Sequence, residues 1–128
     1  MLRFIIGAFV VLHGLVHLLY FGQSGRLFEL QPGMAWPDGS WAFSKLLRDK
    51  ATRWLASASC ILVAIGFAVS GTGIIVGWAW WHPLVVCVAA FSTSLFILFW
   101  DGKIRKLDDQ GGIALIINIA ILAAVLIW

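Results

Sequence analysis

The segment VLHGLVHLLYFG, residues 11–22, places two histidines four residues apart in an otherwise apolar run. On an α-helix this spacing puts His13 and His17 on one face, one turn apart. Such a pair can clasp a metal ion, ligate a haem iron, shuttle a proton or exchange hydrogen bonds with a polar partner. Because an unpaired imidazole in an apolar environment is costly, we expect partners for both rings elsewhere in the chain.

The composition is that of a membrane protein. Of the 128 residues, 62% are apolar and 12% are charged, and the mean hydropathy is +0.97. A soluble domain carries about 25% charged residues, roughly twice as many. The net charge is only +3, and no basic cluster is interleaved with aromatic residues, so the sequence does not indicate nucleic-acid binding.

Four apolar runs reach the length that a membrane-spanning helix needs. They predict an all-α fold, a single integral membrane domain over residues 1–128 whose four helices form an up-down-up-down bundle. No small-residue cleavage site follows the first run, so we expect it to be a retained span and not a signal peptide. Polar and apolar residues mix over residues 40–49, which predicts a short interfacial helix in the first loop. The predicted spans are residues 4–21, 51–69, 83–100 and 112–128.

The basic residues predict the orientation of the bundle. All of them except Arg3 fall in or beside the loops at residues 22–50 and 101–111. Basic loops stay in the cytoplasm, so we expect these two loops to be cytoplasmic and both termini to lie outside. The expected location is the cytoplasmic membrane of a prokaryote. The basic residues on the expected cytoplasmic side are Arg26, Lys45, Arg48, Lys50, Arg53, Lys103, Arg105 and Lys106.

The polar residues of the four spans fall at one level. None of the spans carries an Asp, Glu, Lys or Arg in its interior, which disfavours an ion-coupled pump and a carboxylate pair for acid–base catalysis. Counted from the cytoplasmic ends, the histidines, one asparagine and several hydroxyls lie at a common depth, with Ser92 and Thr93 among them. The residues selected as a candidate ligand-binding layer are His13, His17, Ser57, Ser59, Ser94 and Asn118.

Three interpretations of this layer remain open. The side chains could hydrogen-bond across the helices and hold the bundle in register. They could instead surround the polar end of a lipophilic molecule such as a quinone or a lipid, with His13 or His17 as a proton shuttle. A metal or haem site is the third interpretation, but no further ligand is evident at that depth, so we predict no metal site and no catalytic residue.

Small residues recur every four positions in the second span, from Thr52 to Ala68. This ridge predicts close helix packing, either within the chain or against a second copy or another membrane protein. Membrane lipids are the other expected partners.

The layout resembles that of small bacterial and archaeal four-helix membrane proteins and is similar in plan to DoxX-like proteins. The similarity lies in four spans within one short chain, a first span containing HGLVHL (residues 13–18) and a third ending in SLFILFWD (residues 94–101). DoxX-like proteins have relatives among quinone-linked oxidoreductase subunits, so the resemblance implies a quinone or lipid pocket. We therefore expect an accessory or structural membrane protein that binds a lipophilic ligand in its cytoplasmic half. The alternative is a membrane oxidoreductase, or its quinone-facing subunit, that uses His13 and His17.

Overall fold

The computed structural model describes residues 1–104 and 110–127, and the regular structure in this part of the chain is helical. This confirms the all-helical class. The first three helices are long and apolar enough to span a membrane, and the fourth is a shorter apolar helix. Trp128, the end of the fourth predicted span, and residues 105–109 of the predicted third loop lie outside the described residues. The helices are α1 (Leu2–Ser24), α2 (Asp49–Val76), α3 (Trp81–Leu98) and α4 (Gly112–Ile127).

The packing of α1 against α2 is the closest in the bundle. A Cβ atom added at Gly71 would lie 2.5 Å from the carbonyl oxygen of Gly7, and one added at Gly14 would lie 2.7 Å from the Cβ of Phe67. The two backbones therefore approach as closely as only glycine permits. The predicted small-residue ridge of α2 is part of this contact, since a Cβ atom added at Gly14 would lie 3.1 Å from the carbonyl oxygen of Ala64 and 3.5 Å from the backbone nitrogen of Ala68.

Helix α2 is longer than the sequence predicts, because residues 70–76 continue the helix instead of forming a loop. Ser70 donates a hydrogen bond from its hydroxyl to the carbonyl of Gly66 one turn earlier, and is thereby satisfied inside the helix. The helix ends where Gly77 adopts a left-handed conformation, with φ of 84°, and its N–H donates to the carbonyl of Gly73. The connection to α3 is consequently short.

The first connection, residues 25–48, does not contain the predicted interfacial helix. Residues 41–46 form consecutive turns instead. The reason is that the start of this segment binds the end of α3, whose last carbonyls have no partner within their own helix. The Ser40 hydroxyl donates to the carbonyl of Leu98 at 2.6 Å, and the indole N–H of Trp41 donates to that of Ile97 at 2.7 Å.

The same connection closes one end of the bundle with a buried aromatic cluster. Trp36 is fully buried and contacts Tyr20 of α1 and Phe96 of α3, with ring centroids 5.2 and 5.7 Å apart. Gln23, at the end of α1, fixes the connection by donating to the carbonyl of Met34 and accepting from the N–H of Leu30. We call this end of the bundle the loop half. The opposite half, which contains the first residues of α1 and the last residues of α4, is the terminal half.

The outward faces of the helices are apolar. In a soluble protein such a surface would be an aggregation liability, whereas in a membrane protein it is the surface that lipid covers. These faces agree with the membrane character that the helix lengths indicate. Large exposed apolar side chains include Phe4, Leu12, Leu62, Ile65, Phe91, Ile116 and Leu126.

Candidate functional site

Four buried polar side chains form a hydrogen-bonded network in the middle of the bundle. His13 Nε2 lies 2.7 Å from Asn118 Oδ1, Asn118 Nδ2 lies 2.7 Å from Ser92 Oγ, and Ser92 Oγ lies 2.7 Å from His17 Nε2. His17 Nδ1 lies 3.1 Å from the backbone carbonyl oxygen of His13. The network joins α1, α3 and α4, and each of its residues is almost completely buried.

These distances define a direction for every hydrogen bond in the network. A backbone carbonyl only accepts, so His17 Nδ1 carries the proton, and in the neutral ring Nε2 is an acceptor. Ser92 then donates its hydroxyl proton to His17, and it accepts from the Asn118 amide. Asn118 Oδ1 in turn accepts from His13 Nε2. With both histidines neutral, each of these four hydrogen bonds pairs one donor with one acceptor.

One acceptor of the network is left over. When His13 carries its proton on Nε2, its Nδ1 presents a lone pair, and Nδ1 has no hydrogen-bond partner among the described residues. The ring is packed between His17, at a centroid distance of 5.1 Å, and Phe67 of α2, at 4.9 Å. Gly14 allows this approach of α2, because a larger side chain there would displace Phe67.

The predicted layer is only partly brought together. His13, His17 and Asn118 meet, whereas the hydroxyl of Ser57 is hydrogen-bonded to that of Ser24. Ser94 is exposed on the outer face of α3, where it donates to the carbonyl of Ala90. Ser59, although buried, is on α2 and takes no part in the network. Whether any of these residues binds a ligand stays a prediction.

Ser92 belongs to the network but is not among the candidate residues selected from the sequence, although it lies at the predicted depth. Positions two apart on a helix point in nearly opposite directions, so Ser92 and Ser94 cannot both face the interior. In the structure the burial of Val85, Ala89 and Ser92 follows the helical period and identifies the inward face of α3, which the sequence alone does not mark.

An apolar cavity with a volume of about 460 Å³ lies in the terminal half, between α1 and α4. We expected a ligand in the other half, where Trp36 and its aromatic neighbours are packed together. Ala120 and Ala124 leave room for the cavity on α4. The network lies next to the cavity on the side of the loop half. His13 comes three positions after Val10 on α1, and Asn118 comes two positions before Ala120 on α4. The cavity is lined by Ile5, Ile6, Phe9, Val10, Ile74, Trp81, Val85, Ala120, Ile121, Ala124 and Val125.

A smaller cavity of about 260 Å³ adjoins the apolar one at the end of the bundle. It is lined by Arg3 and His82 together with Ile74 and Trp81, and the last two residues also line the apolar cavity. His82 Nε2 donates to the backbone carbonyl of Val125 at 2.9 Å, which satisfies a carbonyl in the last turn of α4.

Within residues 1–104 and 110–127, no three His, Cys, Asp or Glu side chains come together as they would around a metal ion. The chain matches no protein-family model, and neither a curated protein nor a solved structure is similar to it. The site must therefore be interpreted from its own geometry.

Proposed function

We propose that the protein is an accessory, non-enzymatic membrane protein that binds a lipophilic molecule between α1 and α4. The observation that carries this proposal is the apolar cavity of about 460 Å³ in the terminal half. Its volume is within the range of roughly 300–1,000 Å³ that is typical of small-molecule sites. Its lining offers apolar contacts and one indole, which suits an alkyl chain or a prenyl-like tail.

The arrangement of the helices supports lateral access to this cavity. Backbone packing is extensive for α1 with α2, α2 with α3, and α3 with α4, but α1 and α4 do not pack in this way in the described part of the chain. The direct hydrogen bond between α1 and α4 there is that of His13 with Asn118. A molecule dissolved in the bilayer could enter between these helices without crossing the polar ends of the bundle.

We further propose that all four helices cross the cytoplasmic membrane of a prokaryote in up-down-up-down order with both termini outside. The cavity contacts support the order, because the start of α1, the end of α2, the start of α3 and the end of α4 line one space. The basic residues flanking the loop half support the orientation. A second copy or another membrane protein as partner stays a prediction.

A quinone-facing oxidoreductase subunit is the second candidate. It is favoured by one observation: Nδ1 of the buried His13, which has no partner within residues 1–104 and 110–127, could accept a hydrogen bond from a quinol hydroxyl. The resemblance to DoxX-like proteins points the same way. Organic extraction of the purified protein, followed by chromatography and absorbance, distinguishes the two. A stoichiometric quinone would favour the second candidate, and a quinone-free extract would count against it.

Filling the cavity tests the first candidate. Binding of radiolabelled hexadecanol to the detergent-purified protein is measured by scintillation proximity. Ala124→Leu inserts three carbon atoms into the cavity and should abolish saturable binding. The matched control is Ala123→Leu, because Ala123 is exposed and does not line the cavity. Equal binding by both variants, or no saturable binding by the unchanged protein, would contradict the proposal.

A further inference from the structure

The smaller cavity at the end of the bundle carries a positive charge at the mouth of the apolar one. The Arg3 guanidinium lies against the end of α2, since a Cβ atom added at Gly77 would be 3.1 Å from one of its terminal nitrogens. Ile74 and Trp81 line both cavities, so the two spaces meet along these residues. The result is an apolar slot that opens beside a cation.

No carboxylate side chain of the described residues neutralises Arg3. Glu29, Asp38, Asp49 and Asp101 all belong to the loop half, and the ion pair found among the described residues joins Asp49 to Arg53. Arg3 is also the one basic residue of the terminal half in the sequence. A planar guanidinium carries five N–H donors and is suited to bind a carboxylate through two parallel hydrogen bonds.

We infer that the molecule bound between α1 and α4 is a single-chain anionic amphiphile, a long-chain carboxylate whose head binds Arg3 and whose chain fills the apolar cavity. The inference rests on the proposed function and adds the chemical class of the ligand. Charge complementarity at Arg3 selects an anion over a neutral head. The apolar cavity, lined mainly by α1 and α4 and adjoining the cavity that contains Arg3, accommodates one chain.

The test compares two probes of equal chain length in the same scintillation proximity assay. Radiolabelled hexadecanoate carries the carboxylate, and radiolabelled hexadecanol lacks it. The assay is run at alkaline pH so that the carboxylate is ionised. We expect the unchanged protein to bind hexadecanoate about tenfold more tightly than hexadecanol, the size of effect expected for charge-assisted hydrogen bonds.

Arg3→Gln should weaken hexadecanoate binding about tenfold and leave hexadecanol binding unchanged. The matched control is Lys45→Gln, which removes an exposed positive charge from the loop half and should change neither affinity. Circular dichroism spectra of both variants check that the helices are intact. Ala124→Leu should abolish binding of both probes, because it blocks the slot that the chain of either probe needs.

The outcomes separate this inference from the proposed function. Equal affinities for the two probes, or an Arg3→Gln variant with unchanged hexadecanoate affinity, would overturn the anionic head and leave lipophilic binding in place. Competition by a two-chain anionic phospholipid as strong as that by unlabelled hexadecanoate would overturn the single-chain assignment. Absence of saturable binding for either probe would overturn the proposed function itself.

Discussion

At the scale of single residues, the central network shows how buried imidazoles can be paired with polar side chains of neighbouring helices. His13, Asn118, Ser92 and His17 are joined by hydrogen bonds that each pair one donor with one acceptor, and His17 Nδ1 donates to the main-chain carbonyl of His13. An individual hydrogen bond between membrane helices contributes only about 0.6 kcal/mol on average. Removing one member costs more, because its neighbours are left buried without a partner.

Two serines on α3 provide a matched test of the network. Ser92→Ala leaves His17 Nε2 and the Asn118 amide each without a partner and should lower the free energy of unfolding by about 1–2 kcal/mol. Ser94→Ala removes an exposed hydroxyl bonded within its own helix and should change it by less than about 0.5 kcal/mol. Reversible unfolding in mixed micelles, followed by circular dichroism, measures both. Equal changes in the free energy of unfolding for the two variants would show that the network does not stabilise the bundle.

The sequence predicts the depth of these residues but not which face of the helix each one occupies. His13 and His17 are unmistakable because they are four apart, and Asn118 is the sole amide in its span. The choice between Ser92 and Ser94 depends on the rotation of α3 about its axis. A helix that is apolar on nearly all sides contains little information about that rotation, because lipid and protein interior are equally apolar surroundings.

At the scale of elements, glycine determines how α1 and α2 meet. Gly7 and Gly71 face each other so closely that neither position has room for a Cβ atom. The glycines of α2 also made residues 70–76 look like a loop in the sequence, since glycine usually interrupts helices. In a membrane the backbone hydrogen bonds must be satisfied internally, and this favours continuing the helix through them.

Gly71→Ala should therefore separate α1 from α2 and lower the free energy of unfolding by about 1–3 kcal/mol, as overpacking does. Gly25→Ala is the control, because its φ of −74° suits any residue and its nearest neighbours would lie at 3.4 Å or more. Thermal unfolding in detergent measures both variants. If the Gly71→Ala variant proved as stable as the Gly25→Ala variant, the close contact between the helices would be contradicted.

The end of α3 depends on a contact that cannot be read from local sequence. Residues 40–49 have the composition of an interfacial helix, but Ser40 and Trp41 form hydrogen bonds to the carbonyls of α3 instead. Trp41→Phe removes the indole N–H, so the carbonyl of Ile97 loses this hydrogen-bond donor. We expect faster hydrogen exchange in residues 95–100, measured by mass spectrometry, while exchange in α1 stays unchanged. Unaltered exchange at the end of α3 would show that the contact is dispensable.

At the scale of the whole molecule, the two halves of the bundle differ in kind. The loop half is filled by Trp36 and its aromatic neighbours, and all charged residues of the chain except Arg3 belong to it or to the adjoining loops. The terminal half is mostly apolar and contains the cavity between α1 and α4 together with the smaller one beside Arg3. The composition and the lengths of the apolar runs were enough to predict four helices and their order along the chain. The burial of Trp36 was not predictable, because it follows from the path of a 25–48 connection that has no periodic pattern.

The proposed orientation is testable with a single reactive cysteine. In a protein whose Cys60 and Cys87 are replaced by alanine, Lys45→Cys should be labelled by a membrane-impermeant maleimide only after the cells are opened. Trp80→Cys, in the short connection between α2 and α3, should be labelled in intact spheroplasts. The reverse pattern would invert the topology and place Arg3 and both cavities on the cytoplasmic side.

The fixed direction of the central hydrogen bonds also limits proton transfer along the network. A proton wire works by reversing each bond in turn, so every member must be able to exchange its roles of donor and acceptor. The chain from His13 to His17 ends on a main-chain carbonyl, which never donates, and it passes through the amide of Asn118, which would have to become an imidic acid to relay a proton. In this arrangement a proton cannot pass from one histidine to the other along these four hydrogen bonds.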